Sequence, residues 1–294
     1  MRWPSDHPAV TDPALAEWAG GVDSVAPPGA EPLGVLRHLV GRRVATKTCT
    51  QTHQLGVLKI FARPRARGNI RRLNALHASS IRHLVPRPLG VDASGHVSLV
   101  EWVEGDIFDQ VPSADFADAA WQVGDALRVL HNSDVQLDRS WDVHNELAVL
   151  QKRQTSIVDR LLQSFGGEGT IVEALASERL VTAHRDCHPH QAVLGLGTAR
   201  WIDLDDCAMA PAGLDVGNMI AHLRRDAATG LRSVGTTGLA IVAFEQGYGD
   251  VPPTTRIWEQ LSLLRLCGLA ESRHSRPDWA LAIAELVEYP LVAG

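Results

Sequence analysis

The hydrophobic and polar positions of residues 33–103 fall into short runs that predict a small β-sheet. Residues 43–52 alternate and are rich in Val and Thr, residues 55–61 form a compact apolar run, and residues 96–102 form another. The one helical pattern in this part covers residues 69–79, where apolar side chains recur at helical spacing. We therefore predict a sheet interrupted by a single helix, in the order strand, strand, helix, strand, strand.

The pattern becomes helical after Gly105. An apolar stripe begins shortly after Ser113, a residue type favoured at helix N-termini. The stripe consists of Phe116, Ala120, Val123, Leu127 and Leu130. Further helices are predicted near residues 143–165, 213–225, 233–247, 254–271 and 277–289. One strand-rich segment, residues 181–203, lies between them.

This change of pattern divides the chain into three parts. Residues 1–32 contain prolines at intervals and predict a loosely ordered N-terminal arm with one short helix. Residues 33–103 are predicted to form a small sheet lobe, the N-lobe, and residues 104–294 a larger helical lobe, the C-lobe. Strands and helices that are segregated in this way indicate an α+β protein.

Composition and charge narrow the range of partners. The chain has 294 residues and a net charge of −6 without a block of basic residues, so we expect no nucleic-acid partner. The N-terminus lacks the apolar stretch of a secretory signal, and no apolar run has the length of a membrane span. The four cysteines show no CxxC spacing, which argues against a zinc ribbon or a disulfide framework and favours the reducing cytoplasm.

The densest chemistry lies in two short segments of the strand-rich part. They read His184-Arg185-Asp186-Cys187-His188-Pro189-His190-Gln191 and Ile202-Asp203-Leu204-Asp205-Asp206. Two acidic positions on separate loops, Asp186 and Asp203, suit one base and one metal ligand around a transferred phosphoryl group. The two segments therefore indicate a kinase of small molecules.

Both segments resemble the aminoglycoside phosphotransferase and choline kinase superfamily. The catalytic loop of that family, His-x-Asp-x-His-x-x-Asn, is matched by His184, Asp186 and His188, with Gln191 in the place of Asn. Further matches are Ile202-Asp203-Leu204-Asp205 and Leu214-Asp215-Val216-Gly217-Asn218. The resemblance implies a protein-kinase-like two-lobe fold with Mg²⁺ as cofactor and ATP or GTP as co-substrate. It also implies that the phosphate acceptor is a hydroxyl group of a small molecule, such as a sugar, an amino alcohol or an aminoglycoside-like antibiotic.

The resemblance assigns roles to individual residues. Asp186 is the predicted catalytic base, because a carboxylate can orient the attacking hydroxyl and accept its proton. Asp203 and Gln191 are predicted to bind Mg²⁺, which prefers hard oxygen ligands, and Asp205 is the next candidate. Structural support of the loop is predicted for His184, His188 and Asp215.

Lys59 is the predicted cation for the nucleotide phosphates. It lies within an apolar run, where a charge is costly unless it is paired or binds a ligand. The alternative is an edge-strand lysine that points to water. The helix predicted over residues 69–79 has no acid to pair with Lys59. Either Asn69 or Asn74 therefore replaces the acid by hydrogen bonding, or the ion pair is absent.

The segment that joins the two predicted lobes begins at Glu101. The main chain of Glu101 and Val103 is predicted to hydrogen-bond the base of the nucleotide. Nearby acids, Glu104, Asp106 and Asp109, would attract a cationic acceptor if they line the substrate cleft, and otherwise form a solvated acidic surface.

Two other functions stay open at this stage. The helix predicted over residues 69–79 lacks an acid, and Gln191 stands in the place of Asn. Both features fit a nucleotide-binding pseudokinase with a regulatory role. Alternatively, His184, Asp186, His188 and His190 alternate, so on a strand they would share one face and bind a metal as in a metallohydrolase. Pro189 interrupts such a strand and argues against this alternative.

Overall fold

The computed structural model describes residues 1–50, 53–152, 158–159, 162–163, 166–176, 178–195, 197–272 and 276–287. Contacts divide the chain into a first unit, Met1–Glu104, and a second unit, Gly105–Gly294. Parts of the helices predicted over residues 143–165 and 277–289 lie outside the described residues.

The first unit is built on a five-stranded antiparallel sheet with the strand order β1-β2-β3-β5-β4. Its strands are β1 Glu31–Leu39, β2 Arg43–Cys49, β3 Leu55–Phe61, β4 Pro88–Val91 and β5 Val97–Glu101. Its helices are α1 Pro8–Thr11, α2 Pro13–Ala16 and α3 Ala66–His77. β3 has the bounds that its apolar run predicts. The structure adds β1 at the sheet edge, where most residues are exposed and therefore leave no hydrophobic alternation.

The two faces of this sheet have different surroundings. Leu58 and Ile60 of β3 point to one face, where they are buried together with Ala9 and Leu15 of the N-terminal helices. Lys59 points to the opposite face, because successive side chains of a strand alternate. The sheet therefore separates an apolar core from the face that carries the lysine.

Residues 1–32 do not form the loosely ordered arm that their prolines predict. Pro8 and Pro13 each open a short helix, a position where the fixed φ of proline is favourable and its missing N–H is not needed. The side chains of His7 and Asp12 cap these helices by accepting backbone N–H groups. Apolar residues between the prolines are then buried against the sheet, and this burial orders the segment.

The second unit is mainly helical. Its described helices are α4 Phe116–His131, α5 Val143–Gln151, α6 Glu168–Leu175, α7 Ala212–Ala228, α8 Val234–Tyr248, α9 Thr255–Ser272 and α10 Pro277–Ala284. α4 begins after Asp115 and not after Ser113. The backbones of α4 and α8 meet at two glycines, since a Cβ atom on Gly124 or on Gly247 would lie 2.1 Å from a carbonyl oxygen of the other helix. No helix of the described ranges is long and apolar enough to cross a membrane.

The second unit also has five short strands among its described residues, and three of them correspond to the predicted strand-rich segment. They are β6 Asp106–Ile107, β7 Leu180–Ala183, β8 Ala192–Gly195, β9 Thr198–Trp201 and β10 Ala208–Pro211. β7 pairs with β10, and β6, β8 and β9 form a second small sheet. A sheet in one unit and helices in the other confirm the predicted α+β class.

Candidate active site

Short strands hold the two acidic segments of the chain next to each other. β7 ends directly before His184, and β8 begins directly after Gln191. β9 runs antiparallel to β8 and ends before Ile202, whose N–H donates to the carbonyl of Gln191 at 2.9 Å. Residues 184–191, here called the His-rich loop, and residues 202–206, here called the acidic turn, are therefore neighbours.

Asp215 fixes the backbone at the start of the His-rich loop. Its fully buried carboxylate, in the first turn of α7, accepts the N–H of His184 at 2.6 Å and the N–H of Arg185 at 2.7 Å. Nε2 of His131 lies 3.1 Å from the same carboxylate. Three donors thus satisfy a buried negative charge, which otherwise would be costly.

A buried chain of polar groups continues beyond His131. Nδ1 of this residue lies 2.9 Å from the hydroxyl of Tyr248, so the hydroxyl donates to Nδ1 and Nε2 donates to Asp215. Burial and the charge of Asp215 raise the pKa of Tyr248, which keeps the hydroxyl protonated. The sequence pattern did not point to His131 or Tyr248, because they lie far from the motif in the chain, at the ends of helices α4 and α8.

His184 connects the His-rich loop to the acidic turn. Its Nδ1 accepts the N–H of Asp186 at 3.3 Å, and its Nε2 donates to the carbonyl of Ile202 at 2.9 Å. Ile202 directly precedes Asp203, so one imidazole ring links the backbone at both predicted acidic positions. The neutral ring with its proton on Nε2 satisfies both contacts.

Asp186 presents its carboxylate to solvent from this fixed loop. Its side chain is 42% exposed, and Oδ2 lies 3.7 Å from Nε2 of His188. Desolvation raises the pKa of Asp186, but the interaction with His188 and the charge of Arg265 outweigh it, so the pKa lies below its ordinary value. Asp186 is therefore ionised at neutral pH.

His188 lies in a cluster of imidazoles. Its ring stacks on His222, with centroids 4.7 Å apart and planes inclined by 14°, and His190 meets it edge-on at 5.7 Å. Nε2 of His188 also lies 3.2 Å from Nε2 of Gln191. This contact holds the side-chain amide of Gln191 against the ring of His188.

Asp203 has an uncommon backbone conformation. Its φ of 54° is left-handed, a region that residues other than glycine rarely adopt and that Asp tolerates better than most. Asp203 precedes the 3₁₀ turn Leu204–Asp206, which contains Asp205, and Asp206 is hydrogen-bonded to Arg139 at 3.1 Å. Strained residues of this kind are typical of functional sites.

The donor set around the acidic turn fits Mg²⁺ better than Zn²⁺. Within the described ranges no three His, Cys, Asp or Glu side chains come together as a metal cluster. Mg²⁺ needs few protein ligands, since phosphate oxygens and waters complete its shell. The carboxylate of Asp203 and the amide oxygen of Gln191, on adjacent segments, are of the type that Mg²⁺ prefers.

The metallohydrolase hypothesis is wrong, because among the described residues no three His, Cys, Asp or Glu side chains are placed to hold a metal ion together. His184 links two backbone segments, His188 stacks on His222, and His190 lies 3.5 Å from Asp109. The pairing of His190 with Asp109 also gives this acid a partner within the second unit.

Lys59 occupies a central strand of the first unit. β3 lies between β2 and β5, and the lysine is only 7% exposed, so the alternative of an edge-strand lysine that points to water is wrong. In α3 the carbonyl oxygen of Asn69 accepts a hydrogen bond from Arg72 at 2.8 Å, and Asn74 is exposed. Replacement of the missing acid by one of these asparagines stays a hypothesis.

The segment after β5 contains the two residues predicted to contact the nucleotide base. The N–H of Glu101 donates to the carbonyl of Arg87, and its carboxylate accepts the N–H of Arg87 at 2.8 Å. Val103 is buried, and neither its N–H nor its carbonyl is hydrogen-bonded in the part of the chain that the structure describes. Nζ of Lys47 lies 3.8 Å from the ring centroid of Trp102, a cation–π contact.

Comparisons with known proteins agree with this geometry. A family model described as the phosphotransferase enzyme family matches residues 41–258. No curated protein matches the chain in sequence. Among solved structures, an aminoglycoside-3'-phosphotransferase of type VIII has a TM-score of 0.66 at 17% identity, and the match covers 86% of this chain and 99% of that chain.

Two further solved structures come from other kinases. The choline kinase LicA from Streptococcus pneumoniae has a TM-score of 0.60 at 13% identity, covering 87% of this chain and 92% of that chain. The amicoumacin kinase hAmiN, solved in complex with AMP-PNP, Ca²⁺ and Ami, has a TM-score of 0.61 at 14% identity, covering 89% and 90%. At these identities the similarity establishes the fold, and it confirms the predicted kinase-like architecture.

The family model extends from the turn after β1 into helix α9, and it includes both the His-rich loop and the acidic turn. This match covers most of the chain and contains every residue to which the sequence motifs assigned a role. The chain therefore belongs to the phosphotransferase enzyme family.

Proposed function

We propose that this enzyme transfers the γ-phosphate of ATP or GTP to a hydroxyl group of a small molecule, with Asp186 as the base. The supporting observation is a carboxylate, 42% exposed, on a loop whose backbone is held by Asp215 and His184. A base must be accessible to its substrate and fixed in position, because misplacement of the reacting groups is costly in rate. Asp186 meets both requirements.

The proposed reaction is a single displacement at phosphorus. The hydroxyl oxygen of the acceptor bonds to the γ-phosphorus, and the bond between that phosphorus and the bridging oxygen of the nucleoside diphosphate breaks. The hydroxyl proton passes to Asp186 and then to solvent. Since the pKa of Asp186 is lowered, the carboxylate orients the hydroxyl first and takes up the proton only as the new bond forms.

Mg²⁺ would be held by Asp203 and Gln191, with Asp205 as the third proposed ligand. The metal supplies positive charge to the phosphate oxygens when the nucleotide is bound. The complex of amicoumacin kinase with AMP-PNP and Ca²⁺ supports a nucleotide and a divalent cation as shared requirements of this fold. Asn is shorter than Gln, so we expect Gln191 to hold the metal less rigidly than Asn would.

The first unit would bind the nucleotide. We propose that Lys59 contacts the phosphates, because it lies in the central strand β3 and an ammonium group binds phosphate oxygens. The N–H and carbonyl of Val103, and the carbonyl of Glu101, are the proposed contacts of the base. The proposed phosphate acceptor is a sugar, an amino alcohol or an aminoglycoside-like antibiotic.

The test is a transfer assay with labelled ATP and GTP against a panel of these three acceptor classes. We expect Mg²⁺-dependent transfer to at least one acceptor and a loss of about 10²- to 10⁴-fold in kcat for Asp186→Asn. Asp278→Asn, which changes an exposed acid of α10, is the control and should keep full activity. Nucleotide binding without turnover on any acceptor would favour the pseudokinase instead.

A further inference from the structure

Arg185 has a backbone conformation that is unfavourable for any side chain. Its φ of 73° is left-handed, which costs roughly 1–3 kcal/mol for a residue with a Cβ atom. Glycine would adopt the same conformation without this cost and would still donate its N–H to Asp215. The backbone conformation at this position therefore favours glycine over arginine.

The guanidinium group of Arg185 lies against an aromatic ring and lacks a polar partner. It is centred 3.4 Å from the ring centroid of Trp141. Nε and Nη1 are buried and make no hydrogen bond with any described residue, and no ion pair is formed. Arg185 as a whole is half-buried. Stacking on Trp141 holds the group in place but leaves its N–H donors unsatisfied.

The charges around Arg185 do not neutralise it directly. The nearby acids are Asp206, bonded to Arg139 at 3.1 Å, and Glu146, which lies 3.2 Å from Nε of Arg265. Arg139 and Arg265 are the nearby cations, so with Arg185 the cluster holds three guanidinium groups and two carboxylates. Burial lowers the pKa of Arg185, yet an arginine stays charged in proteins. One positive charge is left over in this cluster.

The cluster lies beside the proposed base. Arg185 directly precedes Asp186 in the chain, and the charge of Arg265 acts on both residues. Arg265, on helix α9, also donates a hydrogen bond to the side chain of Asn218. The amide nitrogen of Asn218 in turn donates to the carbonyl of Cys187 at 2.7 Å. An acceptor whose hydroxyl contacts Asp186 would therefore lie close to the guanidinium group of Arg185.

We propose that Arg185 binds an anionic group of the phosphate acceptor, a carboxylate or a phosphate ester, and thereby sets the substrate class. This inference rests on the proposed function. Nη2 forms a two-nitrogen edge with Nη1 or with Nε, which matches carboxylate and phosphate oxygens, and such an anion would satisfy a donor that has no partner among the described residues. Among the acceptor classes, acidic sugars and sugar phosphates fit best.

The first test measures binding of simple anions to the full chain saturated with AMP-PNP and Mg²⁺. Sodium acetate and sodium phosphate are titrated at constant ionic strength against sodium chloride, with the thermal midpoint and the tryptophan fluorescence as readouts. We expect a saturable response to at least one anion, with roughly ten- to hundredfold weaker affinity in Arg185→Gly. A response to acetate identifies a carboxylate, and a response to phosphate alone identifies a phosphate ester.

Two variants make this test specific. Arg276→Gly removes a guanidinium group that also lies over a tryptophan, Trp279, but belongs to the exposed start of α10, and it should leave the response unchanged. Arg185→Lys keeps the charge without the two-nitrogen edge and should also weaken binding, which covers the case that the glycine variant does not fold. Equal responses in the wild type and in the Arg185 variants, or no response to either anion, would overturn the inference.

The second test uses transfer from ATP to a matched series of glucuronate, glucose 6-phosphate, glucose and glucosamine. We expect the ratio of kcat/KM for the better anion to that for glucosamine to fall by about tenfold or more in Arg185→Gly. A purely structural role would lower all four values together and overturn the inference. Asp186-dependent transfer without this preference would refute the anion site and leave the proposed function standing. Anion binding that depends on Arg185, without transfer to any acceptor, would refute the proposed function instead.

Discussion

The imidazole of His131 lies 3.1 Å from the buried carboxylate of Asp215, and this contact ties helix α4 to the loop that carries Asp186. The same carboxylate receives two backbone N–H groups of the loop, and the far side of the imidazole receives the hydroxyl of Tyr248. Residues of three helices thus determine the position of the proposed base, although none of these three residues would touch the substrate.

Replacement of Asp215 by asparagine should damage both stability and activity. An amide has one acceptor oxygen for three donors, and its NH₂ group would face N–H groups of the loop. We expect a loss of about 3–5 kcal/mol in the free energy of unfolding and a fall in kcat that exceeds the rise in KM. Urea unfolding and steady-state kinetics measure the two effects.

Asp125→Asn is the matched control for this change. Asp125 is a partly exposed acid of α4 that pairs with Arg128 within the helix, and exposed pairs of this kind contribute about 0–1 kcal/mol. If Asp215→Asn costs no more than Asp125→Asn, the buried network does not hold the loop.

The glycines at the contact of α4 and α8 should not tolerate a side chain. An alanine Cβ at position 124 or 247 would lie 2.1 Å from a backbone oxygen, so the helices must move apart. We expect Gly124→Ala and Gly247→Ala to cost about 1–3 kcal/mol or more. Gly238, in the same helix α8, has no atom within 4 Å of the place that an added methyl group would take, so Gly238→Ala should stabilise the protein by about 0.5–1 kcal/mol. Thermal unfolding of the three variants tests this prediction. A change in stability of the same sign in all three variants would contradict it.

Replacement of Asp203 by asparagine should weaken metal binding and leave the folding of the protein unchanged. Asn tolerates the left-handed backbone of Asp203 but removes the negative charge that would hold Mg²⁺. We therefore expect Asp203→Asn to keep its thermal midpoint within a few degrees of the wild type and to need a much higher Mg²⁺ concentration for activity. Unchanged Mg²⁺ dependence at full activity would show that Asp203 does not bind the metal. Asp206→Asn in the same turn serves as the comparison, since Asp206 is bonded to Arg139.

The N-terminal segment should make the stability of the first unit sensitive to acid. Asp12 accepts hydrogen bonds from His38 at 2.9 Å and from the N–H of Gly41 at 2.7 Å, next to the turn between β1 and β2. The hydrogen bond from His38 has the largest effect and, together with that from Gly41, lowers the pKa of Asp12 below its ordinary value. A folded-state pKa below the unfolded one means that Asp12 stabilises the fold above its ordinary pKa. This contribution is lost as the pH falls through the lowered pKa.

Thermal midpoints measured as a function of pH test this contribution. We expect Asp12→Asn to unfold at a lower temperature than the wild type at neutral pH and the difference to shrink as the pH falls below the ordinary pKa of aspartate. Glu31→Gln, an exposed acid at the start of β1, should follow the wild type. A difference between Asp12→Asn and the wild type that does not depend on pH would assign the effect to packing and not to charge.

Local patterns predicted the parts of this protein that depend on neighbours in the chain. The apolar run of β3 and the helical spacing in α3 are properties of a few consecutive residues, and the structure has both elements. The pattern misjudged residues 1–32, because prolines that break a long helix can also begin short ones, and the apolar residues between them needed the sheet to be buried.

The sequence by itself determined the chemistry that is available: a family motif with Asp186, Asp203 and Gln191 at fixed spacing, and a lysine within an apolar run. Tertiary structure decided how that chemistry is held. His131, Tyr248 and Asp215 meet across 117 residues of chain, and Arg185 acquires its aromatic neighbour and its unsatisfied N–H groups only in the folded state. The physical reason is that hydrogen bonds, burial and charge act through space, so residues without any common pattern in the sequence set the position and the charge of the site.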